Sequence, residues 1–255
     1  MGLRFYVFSD SYPCEAVLAA ARHKGIPYER VEIPPVVHAP VMRVMFGERT
    51  VPGAQVDGRK VHRTSAIFHA LDDMVSEPRL FPADPDHRTL VEQAETWGAG
   101  PFQDIGRRLV WFHMRGRPEV VRRWAEVDAH TVSRTAKRMF ARPMAEIAAM
   151  ANEATAERVE ADLAALPGHL DRVDALIADR VIGDPSAPNA ADFQILSSVA
   201  AWWLIADLRP VLAGRACVAS ALRLFPRYLD RPAIPGGVMP DRWLDPLRAG
   251  ALTPA

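Results

Sequence analysis

Two side chains suited to thiol chemistry stand three residues apart near the N-terminus, in Ser11-Tyr12-Pro13-Cys14. The tetrapeptide lies where an apolar run, Leu3 to Phe8, gives way to a helix-like run, Glu15 to Lys24. A polar loop entering a helix gathers unpaired backbone N–H groups and the positive end of the helix dipole at one spot. That spot favours an anion, a thiolate included. A hydrogen bond from a hydroxyl to a charged acceptor is worth about 1.5–3 kcal/mol. This corresponds to a depression of the thiol pKa by roughly one to two units. Ser11 is therefore a candidate to stabilise a thiolate, or else an ordinary cap or turn serine. Cys14 is either a nucleophile itself or a small apolar residue on the inner face of the helix.

The elements around this tetrapeptide are legible from pattern. Leu3 to Phe8 alternates as a strand, and Pro13 suits the first helical turn. Gly25 suits the left-handed position past the helix end, Ile26 the contact beyond it, and Pro27 stops continuation. Tyr28 to Ile33 reads as a second strand, parallel to the first through a right-handed crossover. Val36 to Glu48 reads as a short helix or an irregular loop. Val51-Pro52-Gly53 opens a third strand, the Asp57-Gly58 turn leads into a fourth from Arg59 to His62, and Thr64-Ser65 caps a helix from Ala66 to Met74.

Residues 77–86 are rich in proline and charge, with Leu80 and Phe81 as apolar anchors, and read as a linker. Beyond them strand patterns give way to helical ones, at about 87–115, 118–139, 142–165, 167–180, 189–208 and 210–224. Asn189 with Asp192 forms a capping-box-like start, and the stretch from Arg231 onward reads as coil. The expected organisation is an α/β domain at 1–76 in the order β-α-β-(α)-β-β-α, a linker at 77–86, and an all-α domain at 87–255 with a coil-like C-terminal tail.

Composition narrows the function. Apolar residues make up 49% of the 255 and charged residues 24%, which suits a soluble protein with a substantial core. Lys plus Arg equals Asp plus Glu at 31 each, which argues against nucleic acid or an acidic membrane as partner. Arg107-Arg108, Arg122-Arg123 and Lys137-Arg138 read as solvated helix faces. Two cysteines far apart in sequence, Cys14 and Cys217, supply neither a disulfide framework nor a zinc site, and such sparse use fits a reducing compartment. No secretory leader, myristoylation signal or membrane span is read, so the expectation is a cytoplasmic protein. His38, His62 and His69 show no metal-ligand spacing.

The order of these elements resembles the glutathione S-transferase superfamily over about residues 3 to 225. Cys14-Glu15-Ala16-Val17 and Lys24-Gly25-Ile26-Pro27-Tyr28-Glu29 resemble its first helix and following turn. Val51-Pro52 resembles its cis-proline, and Thr64-Ser65-Ala66-Ile67 stands where it has an acidic residue or Gln, then Ser, any residue and Ile. Leu80-Phe81-Pro82 resembles its linker, and Asn189-Ala190-Ala191-Asp192-Phe193 the capping box of its sixth helix.

The resemblance implies a thioredoxin-like domain followed by a helical bundle, a homodimer, and glutathione as cosubstrate with no metal. Ser11 would stabilise the thiolate, with Tyr12 and Pro13 beside it. Val51 and Pro52 would hold the cysteinyl backbone of the thiol, and Thr64 and Ser65 its carboxylate. Arg107, Trp111 and Met114, on the first helical segment of the second domain, would face an apolar electrophile. The sequence departs from the family at Thr64, which is too short and carries no charge to pair with the γ-glutamyl ammonium. A low-molecular-weight thiol without that group, such as a sugar-linked one, is the alternative cosubstrate. Two further readings stay open. Ser11-x-x-Cys14 resembles a redox pair with its first cysteine replaced, which points to a thiol-disulfide reductase or isomerase working through Cys14. The change at Thr64 points to a ligand-binding protein that kept the fold and lost the chemistry.

Overall fold

A computed structural model describes residues 2–34, 37–128 and 130–251. Four strands form one mixed sheet in the order β2-β1-β3-β4, with β1 at Leu3–Val7, β2 at Glu29–Glu32, β3 at Gly53–Val56 and β4 at Arg59–His62. β1 runs parallel to β2 and antiparallel to β3, and β3 runs antiparallel to β4. The crossover between β1 and β2 is helix α1, Tyr12–His23. It ends as its sequence predicts: Gly25 has φ +65°, and the Ile26 N–H donates to the Ala21 carbonyl at 3.0 Å. The β3–β4 turn places Asp57 and Gly58 at φ 47° and 84°, both left-handed, as an Asp-Gly hairpin requires.

Val36 to Glu48 contains a helix, α2, at His38–Phe46, ended by Gly47 at φ 77°. Pro35 and Val36 lie outside the described residues. Helix α3 runs Thr64–Met74, two residues earlier than the sequence predicts. Thr64 and Ser65 are in the helix, and its cap is Arg63 at φ 75°, with no side chain bonded to the first turn.

The second half of the chain is helical: α4 at Pro85–Trp97, α5 at Gln103–Met114, α6 at Pro118–Glu126, α7 at Thr131–Ala151, α8 at Ala156–Ala178 and α9 at Ala190–Trp202. They are followed by α10 at Arg209–Leu212, α11 at Ala216–Leu224 and α12 at Asp241–Ala251. One wide turn, Gly98–Phe102, joins α4 to α5 where Gly100 leaves helical geometry next to Pro101.

Several boundaries differ from the sequence pattern, and the expected segment at 142–165 is divided between α7 and α8. The run at 118–139 divides into α6, which ends at Glu126, and α7, which starts at Thr131 and continues through Pro143. A proline ring collides with the carbonyl four residues back. The chain relieves this at Phe140, whose φ of −115° and ψ of 21° open the helix locally. Pro167 likewise lies inside α8. The C-terminal stretch is not coil throughout: α12 turns Trp243, Leu244 and Leu247 into the core.

Helix α9 is the centre of the packing. It is buried on every side, against α1, α4, α5 and α11. Its start is the expected capping box, with Asn189 accepting from the Ala191 and Asp192 N–H groups and Asp192 accepting from the Asn189 N–H at 2.9 Å. At its far end Trp202 packs so closely on α5 that a Cβ on Gly106 would sit 2.5 Å from the indole nitrogen. No helix among the described residues is long and apolar enough to cross a membrane.

Candidate active site

Strand register brings the three segments singled out in the sequence to one end of the sheet. Gly53 pairs with Tyr6 on one side and with His62 on the other. The loop leaving β1, the Val51-Pro52 bond entering β3 and the Arg63-Thr64-Ser65 start of α3 therefore meet at the same edge. The Val51–Pro52 bond is cis. His62 Nε2 donates to the Thr50 carbonyl at 2.8 Å and ties the segment before that bond to β4.

Ser11 caps α1 in extended geometry, with φ −78° and ψ 110°, and its side chain makes no capping hydrogen bond. It is half-exposed, whereas Cys14, one turn into the helix, is 1% exposed. Burial pushes the Cys14 thiol up to about 12, against the downward pull of the Ser11 hydroxyl and the Phe8 backbone. Tyr12 is buried, and its hydroxyl donates to the Gln103 carbonyl at 2.7 Å, fastening α1 to α5. Burial raises the Tyr12 phenol well above the ordinary tyrosine range. Tyr12 is thus a neutral donor committed to the helical half of the chain. Pro13 is buried in the first turn of α1.

The loop that carries Ser11 is held by charges the sequence pattern did not single out. Asp10, at φ 77°, pairs with Lys137 of α7 and with Arg231 of the C-terminal segment. Lys137 also pairs with Asp128. The Ser9 N–H donates to Glu32, and Arg30 donates to the Ser9 hydroxyl at 3.1 Å and to Glu32 at 2.8 Å. Lys137, expected on a solvated face, is buried, while its neighbour Arg138 is exposed. Burial acts to raise the Asp128 carboxyl, but hydrogen bonds from Lys137 and the His130 N–H outweigh it and leave Asp128 below its ordinary value.

Ser65 faces a second residue that pattern did not reveal. Its hydroxyl acts on the carboxyl of Glu95, in the last turn of α4, favouring the ionised form. Glu95 is 2% exposed, and burial pushes its carboxyl up to about 7, with Glu92 adding to the rise. A glutamate ordinarily near 4.5 that titrates near 7 in the folded chain makes the protein less stable as pH rises between those values. The loss amounts to about 3 kcal/mol in total. Glu95→Gln removes this dependence. Its stability relative to wild type should rise by about 3 kcal/mol from pH 4 to pH 8, measured by urea unfolding at each pH.

The three positions expected to face an electrophile separate. Arg107 reaches the Tyr12 hydroxyl and lies 3.5 Å from Asp104. Trp111, one turn on, is half-buried against the core, and Met114 is 1% exposed within it. Among the described residues no group of His, Cys, Asp and Glu side chains is arranged to hold a metal ion. Both cysteines are free and buried.

Residues 5–79 match the family described as glutathione S-transferase, N-terminal domain. No curated protein matches the sequence. Among solved structures, the theta class glutathione S-transferase from the citrus canker pathogen Xanthomonas axonopodis pv. citri, with glutathione bound, is 20% identical, with a TM-score of 0.58 over 93% of this chain and 99% of that one. Beta-etherase LigF from Sphingobium sp. strain SYK-6 is 17% identical, with a TM-score of 0.57 over 96% of this chain and 99% of that one. FzlA from C. crescentus is 15% identical, with a TM-score of 0.55 over 96% and 99%. At these identities the likeness is one of fold. It extends through the helical half as well as the sheet.

Proposed function

In a chain that carries the glutathione S-transferase N-terminal domain at residues 5–79 and the fold of those enzymes throughout, we propose a transferase that activates a small thiol, glutathione, for attack on an electrophile. The Ser11 hydroxyl donates to the sulfur of the bound thiol and, with the start of α1, favours its ionised form. The thiolate forms a carbon–sulfur bond with the electrophilic carbon. The electron pair of the broken bond leaves with the departing group or, in an addition, is taken up as a carbanion that then accepts a proton. The backbone at the cis Val51–Pro52 bond aligns the cysteinyl part of the thiol. The N–H groups and hydroxyl at Thr64 and Ser65 hold its distal carboxylate. Arg107 and Trp111, both half-buried on α5, lie on the electrophile's side, and the protein works as a cytoplasmic homodimer.

The observation that carries this reading is the contrast between Ser11 and Cys14. Ser11 is half-exposed at the helix start and its side chain makes no capping hydrogen bond. The thiol is sealed in the core at a pKa of about 12, so roughly one part in 10⁵ is thiolate at neutral pH. That disfavours a reductase or isomerase working through Cys14. With glutathione and a panel of aryl halide, epoxide and benzylic electrophiles, Ser11→Ala should lower kcat/KM by about 10- to 100-fold. Cys14→Ser should stay within about threefold of wild type. The reverse order would assign the chemistry to Cys14.

A further inference from the structure

Helix α7 turns an apolar stripe to solvent. Its buried side, with Ala141, Met144 and Ala145, belongs to the bundle, where α7 packs with α5 and α6. On its outer side Met139, Ile147 and Met150 are 69%, 66% and 71% exposed. Of the ten large apolar side chains exposed among the described residues, five belong to this one helix: Val132, Met139, Phe140, Ile147 and Met150. Single exposed hydrophobics are ordinary, but a run of them on one face marks a contact surface. Met139, Pro143, Ile147 and Met150 follow one another at spacings of four, four and three, which sets them on one face, and Val132 stands seven residues before Met139. The charges beside the stripe are divided. Arg138 and Arg142, both exposed, flank its first half. Glu146, half-buried and 3.1 Å from Arg115, flanks its second half on the same side. Past its end a surface hollow is lined by Met150, Ala154 and Thr155. One end of the stripe is thus an exposed valine with basic neighbours, and the other is a hollow with an acidic one.

We propose that α7 is the contact surface between two copies of this chain, packed antiparallel about a two-fold axis at Pro143. The inference rests on the homodimeric reading and places its interface. About that axis, positions equally far from 143 face each other. Met139 of one copy meets Ile147 of the other, and Val132 meets the hollow at Ala154. Glu146 of one copy faces Phe140 of the other, two residues from both Arg138 and Arg142, whose long side chains reach it. A two-fold axis makes every one of these contacts twice. The apolar pairs supply the affinity, and the rim charges set the direction. A parallel pairing would bring like charges together. An anionic membrane surface would satisfy the arginines but would repel Glu146 and leave the hollow empty.

The test is sedimentation equilibrium on the full-length wild type, Met139→Lys, Ile147→Glu, and an equimolar mixture of the two variants. The wild type should be a dimer at about 10 μM. Each variant alone should raise the dimer dissociation constant by about 100-fold or more, because its charge enters the interface twice. The mixture should dimerise about tenfold or more tightly than either variant alone. In a mixed dimer the new lysine meets the new glutamate, and Ile147 meets Met139. Both positions are exposed, and unchanged circular dichroism shows that loss of the dimer is not loss of the fold. A dimer left intact by both variants would overturn the assignment to α7 while leaving the homodimer in place. Weakened variants with no recovery in the mixture would overturn the antiparallel register. A wild type still monomeric at about 100 μM would remove the homodimeric reading and this inference together, and its binding to vesicles of anionic lipid would assign the stripe to a membrane instead.

Discussion

Lys137→Met should destabilise the protein by about 3–5 kcal/mol and lower kcat/KM for thiol transfer at the same time. The Lys137 ammonium lies in the interior between Asp10 and Asp128, with 3% of its side chain exposed. Deleting it leaves two carboxylates in a poorly solvated place, one held only by Arg231 and the other by the His130 N–H. A lone buried charge is far more costly than the pair it came from was favourable. The catalytic consequence follows from position. Asp10 directly precedes Ser11 in a left-handed conformation, uncommon for a residue other than glycine, and its two ion pairs fix it there. Releasing Asp10 frees the loop that aims the Ser11 hydroxyl. Urea unfolding and steady-state kinetics on the same preparation check both halves. Adding Asp128→Asn to Lys137→Met should recover part of the stability, since it removes one stranded charge, but little of the activity, since Asp10 stays unheld. Lowering the pH should weaken the native cluster too. Asp128 is held below its ordinary value, so its contribution is present above about pH 4 and is lost as pH falls through its folded pKa.

Asp192→Ala should cost roughly 3 kcal/mol, by stranding one buried and one half-buried donor at the start of α9. Its carboxylate accepts from the Asn189 N–H at 2.9 Å and from the Gly183 N–H at 2.6 Å. It thereby closes the capping box and pins the preceding loop to the start of α9. Asn189 binds that loop again, donating from Nδ2 to the Val181 carbonyl at 2.8 Å. Burial pushes the Asp192 carboxyl up to about 6, so its protonated form is favoured in the folded chain. Native stability therefore falls as pH rises from about 4 to 6. The deficit of Asp192→Ala, which lacks that dependence, should be larger at pH 5 than at pH 8. Thermal or urea unfolding at the two values measures it.

Local chemistry made much of this fold legible in the sequence. Gly25-Ile26-Pro27 ends α1 because only a left-handed residue followed by an apolar contact and a proline closes a helix that way. Asp57-Gly58 fixes the hairpin and, through it, the register that sets Gly53 opposite Tyr6 and His62. Asn189 and Asp192 mark the start of α9 three residues apart. Misreadings arose where tertiary packing overrides a local signal. In the sequence the helical pattern breaks at 139–142 and 165–167, beside Pro143 and Pro167, yet α7 and α8 run through both, since flanking turns packed in the bundle make a local kink cheaper than a break. The proline- and glycine-rich C-terminal stretch hides α12, whose Trp243, Leu244 and Leu247 show helical spacing over too short a run to stand out.

The candidate site was legible only in part, for a similar reason. Ser11, Val51-Pro52 and Thr64-Ser65 have local signatures as loop, turn and helix start. Lys137 and Glu95 do not. Each sits in a charged helical stretch where a solvated face is the ordinary reading, and each is buried because a partner far away in sequence, Asp10 or Ser65, faces it. No spacing rule reaches across 127 residues, the separation of Asp10 and Lys137. Arg107, Trp111 and Met114 share helical spacing, but the core takes Met114 and Tyr12 engages Arg107.

The central claim is that Ser11 activates the sulfur of a bound thiol and that Cys14 does not. The most direct test is an ultraviolet titration of the thiolate absorbance of glutathione bound to wild type, Ser11→Ala and Cys14→Ser. The account predicts a bound-thiol pKa roughly one to two units below that of free glutathione in wild type and Cys14→Ser, and its return to near the free value in Ser11→Ala. A depression that survives in Ser11→Ala and disappears in Cys14→Ser would contradict it.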